Sequence, residues 1–105
     1  MAKVVEFRSF EPNVGMEAIT RFVWTGNGPV QVVPLRPGGD RIWKNPEWGD
    51  RIPGPEGRWL TLDDGELFLE YMSWNYRGSS LWATPVFELP DNEALQPRPT
   101  HLDRP

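Results

Sequence analysis

Hydrophobic and polar residues alternate with a period of two through much of this chain, which is the pattern of half-buried strands. In residues 3–10, Val5 and Phe7 share one face and Val4, Glu6, Arg8 and Phe10 the other. Residues 11–15 carry turn chemistry, and residues 16–18 could open a short helical turn that nothing sustains. Residues 19–25 are β-branched and aromatic, then Gly26-Asn27-Gly28 precedes 29–35. This predicts a hairpin with Asn27-Gly28 in a type I′ turn. Pro29 and Pro34 lack N–H donors and place the second strand at an edge or a bulge. A second hairpin is expected from 58–62 and 66–74 around Asp63-Asp64-Gly65. There Leu67, Leu69 and Tyr71 oppose Glu66, Phe68, Glu70, Met72 and Trp74. A helix over 67–72 is the competing reading, and the Asp-Gly turn favours the strand. After a turn at 75–79, residues 80–89 read as the last strand, with Pro85 again marking an edge or bulge.

These elements sum to about six to eight short strands and no long helix, a small antiparallel sandwich or barrel. One domain is expected over 1–89, with a long ordered excursion at 37–58 and an extended Pro-rich tail at 90–105. Trp24, Trp74 and Trp82 fall on predicted strands and are core by default, yet the predicted strands put large apolar residues on both sheet faces. Either a second layer covers the other face, or part of it is a patch for a partner.

The excursion departs from alternation. It writes Gly-Asp-Arg-Ile twice, at 39–42 and 49–52, among Trp43, Trp48 and Trp59. Prolines at 37, 46, 53 and 55 forbid a long helix, and its glycines break any long strand. Short strands are expected near 41–44 and 51–52. A loop this long in a compact domain usually carries function, and its tryptophans and isoleucines oppose disorder.

Composition narrows the classes. A chain of 105 residues fits one domain. With no cysteine, disulfides and cysteine zinc sites are excluded. Net charge is −4 and basic residues are scattered, which argues against nucleic acid as a partner. No apolar run reaches membrane-span length, and charge interrupts the first residues as no signal peptide does. A cytoplasmic or virion setting is expected.

Candidate chemistry concentrates in the excursion. Asp40 and Asp50 could accept from a ligand, while Arg41 and Arg51 present donors over Trp43, Trp48 or Trp59. The simpler reading has Asp capping turns, Arg packing on Trp and Ile anchoring the loop. Asp63, Asp64 and Glu66 read as an acidic turn rather than a calcium loop, which needs alternating ligands. His101 is the single histidine and lies in the tail, so no histidine triad or multi-histidine metal site is expected. No enzyme activity, cofactor or metal is predicted. The leading expectation is a protein–protein contact or structural subunit of a larger assembly, with a protein partner or a second copy of itself, such as a virion accessory protein. Its contacts would be the excursion residues with Pro97 and Pro99 of the tail. The alternatives are a carbohydrate-binding module using exposed tryptophans and a small acidic inhibitor.

Overall fold

The computed structural model describes residues 1–11, 16–76 and 82–97. In chain order its elements begin with β1 (Ala2–Glu11), β2 (Met16–Trp24) and β3 (Gln31–Pro34). After the excursion come β4 (Ile52–Pro53) and β5 (Trp59–Leu60), then helix α1 (Glu66–Asn75). The chain continues through β6 (Trp82–Ala83), β7 (Phe87–Leu89) and the short helix α2 (Asp91–Ala94).

The main sheet is antiparallel and ordered β3-β2-β1, with β6 and β7 sharing the far edge of β1. β1 and β2 pair from Lys3 opposite Trp24 to Glu11 opposite Met16. The strand expected over 80–89 is thus split. Phe7 faces Ala83, whereas Val4 faces Phe87. Three steps along β1 match four along the other strand, so one extra residue is inserted beside Pro85, a β-bulge on an edge. Thr84 bridges the break: its N–H donates to the Glu6 carbonyl at 2.9 Å, and its hydroxyl accepts from the Glu6 N–H at 3.0 Å.

Among the described residues most of the regular structure is antiparallel strand, and the main sheet is open rather than closed into a barrel. Its second sheet is the β4–β5 ribbon, with Ile52 opposite Leu60. What packs on the first face of the main sheet is α1, where a strand was expected. Residues 66–75 contain no β-branched residue, and Leu, Glu and Met all favour helix. Phe68, Leu69, Met72 and Ser73 are buried, the spacing of one helical face. Thr61 and Asp64 form a reciprocal capping box over the preceding 3-10 turn, Leu62–Asp64. Gly65 sits between the two helices at φ 57°, ψ −128°, so it starts a helix instead of closing a hairpin.

The β2–β3 hairpin forms, but not around a tight type I′ turn. Val23 opposite Gln31 is its last pair, and the left-handed residues are Gly26 and Gly28, not Asn27. Pro29 cannot donate, and the Val30 N–H goes to the Leu62 carbonyl at 2.7 Å. The would-be ladder is thereby diverted under the loop that precedes α1. Residues 16–18, read as a possible helical turn, belong to β2. Of the turns expected at 11–15 and 75–79, Glu11 belongs instead to β1 and Asn75 to α1, and residues 12–15 and 77–79 lie outside the described residues.

The first core joins Val5, Phe7 and Phe22 of the sheet to Phe68, Leu69 and Met72 of α1. Each such side chain stabilises by about 1.5–3 kcal/mol when fully buried. The second face is covered in part by the start of the tail. Ala2, Val4, Val23 and Ala94 form a second buried cluster there, beside Val33, Phe87 and Leu89. The tail is therefore not simply extended: α2 docks on β1. Glu6 and Arg21 make an ion pair on this face at 2.9 Å, with side chains 0% and 3% exposed. Arg21 Nη1 also reaches the carbonyls of Glu93, Ala94 and Gln96, the last at 2.9 Å. The pair thus clamps the incoming chain to the sheet. No helix among the described residues is long and apolar enough to cross a membrane.

Candidate functional site

The excursion leaves β3 through a series of turns over 37–43. It is pinned to β2 where Gly39 packs on the strand: Thr20 Oγ1 donates to the Gly39 carbonyl, and a Cβ at 39 would collide with the Ile19 carbonyl oxygen. This close approach carries Trp43 into the first core. Its ring meets Phe22 edge-on at 5.6 Å and Phe68 at 5.7 Å, and such pairs add about 0.5–1.5 kcal/mol beyond burial. Trp43 is 3% exposed, so this predicted contact residue is core. Its indole N–H is buried without a hydrogen-bond partner among the described residues. The strand expected at 41–44 is turn, whereas 52–53 does form β4.

The two Gly-Asp-Arg-Ile copies do different work. Gly39 makes the close approach, while Gly49 occupies a left-handed turn at φ 69° with open space around it. Asp40 and Arg41 are exposed, and their side chains make no hydrogen bond or ion pair among the described residues. Asp50 instead pairs with Lys44 at 3.1 Å. Ile42 is half-buried and Ile52 fully buried.

The second copy builds a rim. Arg51 Nε donates to the Trp48 carbonyl at 3.0 Å, and its guanidinium lies 4.5 Å over the Trp59 ring. Trp48 and Trp59 meet at 5.8 Å with planes tilted by 56°. Trp59 is 40% exposed. Hydrogen bonding and stacking hold the Arg51 fork in place, while its Nη groups make no hydrogen bond among the described residues. A fixed planar donor pair beside two indoles suits a carboxylate or backbone carbonyls. Pro97 is exposed just past the clamped Gln96. Pro99 lies outside the described residues.

Sequence reasoning missed a second surface. Trp74, expected on a strand and by default in the core, is 75% exposed on α1. It borders a groove of about 410 Å³ between α1 and the bulge, whose described walls also include Glu70, Tyr71, Ser73 and Val86. The Ser73 hydroxyl donates to the Thr84 carbonyl at 2.8 Å and ties helix to bulge beneath it. Nearby, Lys3 pairs with Glu66, which with Glu88 and Glu70 raises the Lys3 pKa above its ordinary value. Helical spacing was the signal that could have found this surface, since Trp74 stands about 200° around a helix from Met72.

No group of three or more metal-ligating side chains occurs among the described residues. No protein-family model, curated protein or solved structure matches the chain.

Proposed function

We propose that this protein is a non-enzymatic contact subunit that binds another protein, or another copy of itself, within a larger assembly, through the rim formed by Trp48, Arg51 and Trp59. A virion accessory role fits the same reading. The observation that carries it is the exposed Arg51 guanidinium, held over Trp59 and bonded to Trp48, with no hydrogen bond from its terminal donors among the described residues. Tryptophan and arginine dominate interface hot spots, and a side chain already ordered loses little entropy on binding. The carbohydrate reading has less support. Trp43 is withdrawn into the core, and the two remaining indoles are tilted rather than coplanar.

The test is affinity capture from the source cells, using the wild-type chain and the double variant Arg51→Ala, Trp59→Ala as baits. Sedimentation equilibrium run in parallel detects self-association. The expected result is a stoichiometric partner, or an oligomer, that the double variant loses. Trp59→Ala alone should weaken it by about 2 kcal/mol or more while leaving the fold intact. Trp43→Ala should instead destabilise the fold by about 3–5 kcal/mol. Neither partner nor self-association for the wild-type chain overturns the proposal.

A further inference from the structure

Three indoles, Trp59, Trp74 and Trp82, are exposed, and two already carry an arginine. The Arg51 guanidinium lies 4.5 Å over Trp59, and that of Arg8 lies 4.5 Å over Trp82. Trp74 has no cation over its ring among the described residues, although it is the most exposed of the three at 75%. The buried face of α1 is complete without it. An indole left that open contributes nothing to the core and leaves a large apolar face in water.

The surroundings specify what would cover it. Glu66, Glu70 and Trp74 recur every four residues and so lie along one stripe of the helix. Glu66, Glu70 and Glu88 all act on Lys3. Among the described residues, these three carboxylates against one ammonium leave two negative charges in excess. Glu70 is exposed and makes no ion pair among the described residues. An aliphatic occupant would satisfy Trp74 but strip water from Glu70 without replacing it, which is costly for a carboxylate. An anionic occupant would meet like charge. A cation satisfies both groups, through the indole face and the carboxylate together. A planar guanidinium stacks on an indole better than an ammonium does. At about 410 Å³ the groove also falls in the size range of ligand sites.

We propose that the groove between α1 and the bulge is a second contact site, which receives an arginine side chain of a protein partner between Trp74 and Glu70. It is independent of the Arg51 rim, and its chemistry is the opposite: the rim offers donors, whereas the groove offers a carboxylate and an aromatic face.

The test is NMR of the ¹⁵N-labelled protein, following the Trp74 indole N–H signal, which is assigned by its loss in Trp74→Phe. The probes are the blocked tripeptides acetyl-Gly-Arg-Gly-amide, acetyl-Gly-Leu-Gly-amide and acetyl-Gly-Glu-Gly-amide. The Trp74 signal should shift saturably with the arginine peptide at millimolar concentrations. Glu70→Gln should weaken that binding about two- to fivefold, the range of an exposed ion pair, and added salt should weaken it further. Arg51→Ala should bind the arginine peptide unchanged, which separates this site from the rim. Equal shifts with the leucine peptide, no shift with the arginine peptide, or indifference to Glu70→Gln would each overturn the proposal. So would a shift of the Trp74 signal in free Arg77→Ala as large as the peptide produces, because the chain's own arginine would then be the occupant.

Discussion

Removing the charge of Glu6 should unfasten the tail as well as weaken the domain. Glu6 is fully buried, and its partner Arg21 is 3% exposed. Two unit charges about 4 Å apart at an effective dielectric constant of about 20 attract by about 4 kcal/mol. Breaking one partner of a buried pair typically costs about 3–5 kcal/mol, because the survivor is left uncompensated. The variants Glu6→Gln and Arg21→Met should each lose about that much, against a total of about 5–15 kcal/mol for a domain of this size. The double variant Glu6→Leu, Arg21→Met buries no charge and should recover most of the loss. It does not restore the donor that reaches the carbonyls of Glu93, Ala94 and Gln96. Global stability and tail docking should therefore part company in the double variant. Urea unfolding followed by tryptophan fluorescence reads the first. Amide hydrogen exchange at residues 91–96 reads the second. Single variants within about 1 kcal/mol of wild type would show that the pair is not an uncompensated buried charge when broken. Full tail protection in the double variant would show that Arg21 is not what holds the tail.

Two further outcomes follow from the structure. Gly65→Ala should destabilise by about 2 kcal/mol or more, since the residue sits at φ 57° and a Cβ there would lie 2.9 Å from Trp24 Nε1. Thermal unfolding should register a drop of about 10 °C, and an unchanged midpoint would refute the strain. Burial raises the Tyr76 pKa above its ordinary 10.0, so the folded state holds that proton more tightly than the unfolded state does. Stability from this group is complete below the unfolded value and falls as pH rises through the folded one. The urea midpoint should therefore decline above about pH 10, and decline less in Tyr76→Phe; parallel declines would refute it.

The β1–β2–β3 meander was readable because its residues are β-branched or aromatic and alternate cleanly. The bulge at Pro85 was readable because proline removes a ladder donor. The helix was misread because Glu66–Asn75 satisfies a period of two about as well as one of 3.6 over so few residues. Its lack of β-branched residues and the Thr61–Asp64 capping box were the deciding signals. That one error in period also misplaced Trp74: it moved an exposed indole to a core default. Trp43 was misplaced in the other direction. Its burial depends on Gly39 meeting β2, a contact between residues about twenty positions apart that local pattern does not carry. The tail's composition hid its docking, because one small apolar side chain, Ala94, the Met1–Asp91 ion pair and three backbone carbonyls hold it, and no sequence pattern marks a carbonyl.

Exposure of the rim follows from burial of its neighbours. In the β4–β5 ribbon Ile52 faces Leu60, and both are fully buried. Side chains alternate across a strand, so the next pair, Pro53 and Trp59, must point away from that core. Trp59 is thus exposed because Leu60 is not, and a one-residue slip would exchange them. The ribbon is fixed to α1, where Asn75 Nδ2 donates to the Pro53 carbonyl at 3.1 Å. The residue before Asn75 is Trp74, the wall of the groove. One helix therefore anchors the ribbon that presents Trp59 and carries the indole that lines the second site. The excursion and the helix share the first core, and each closes it with one face while turning an aromatic outward on the other.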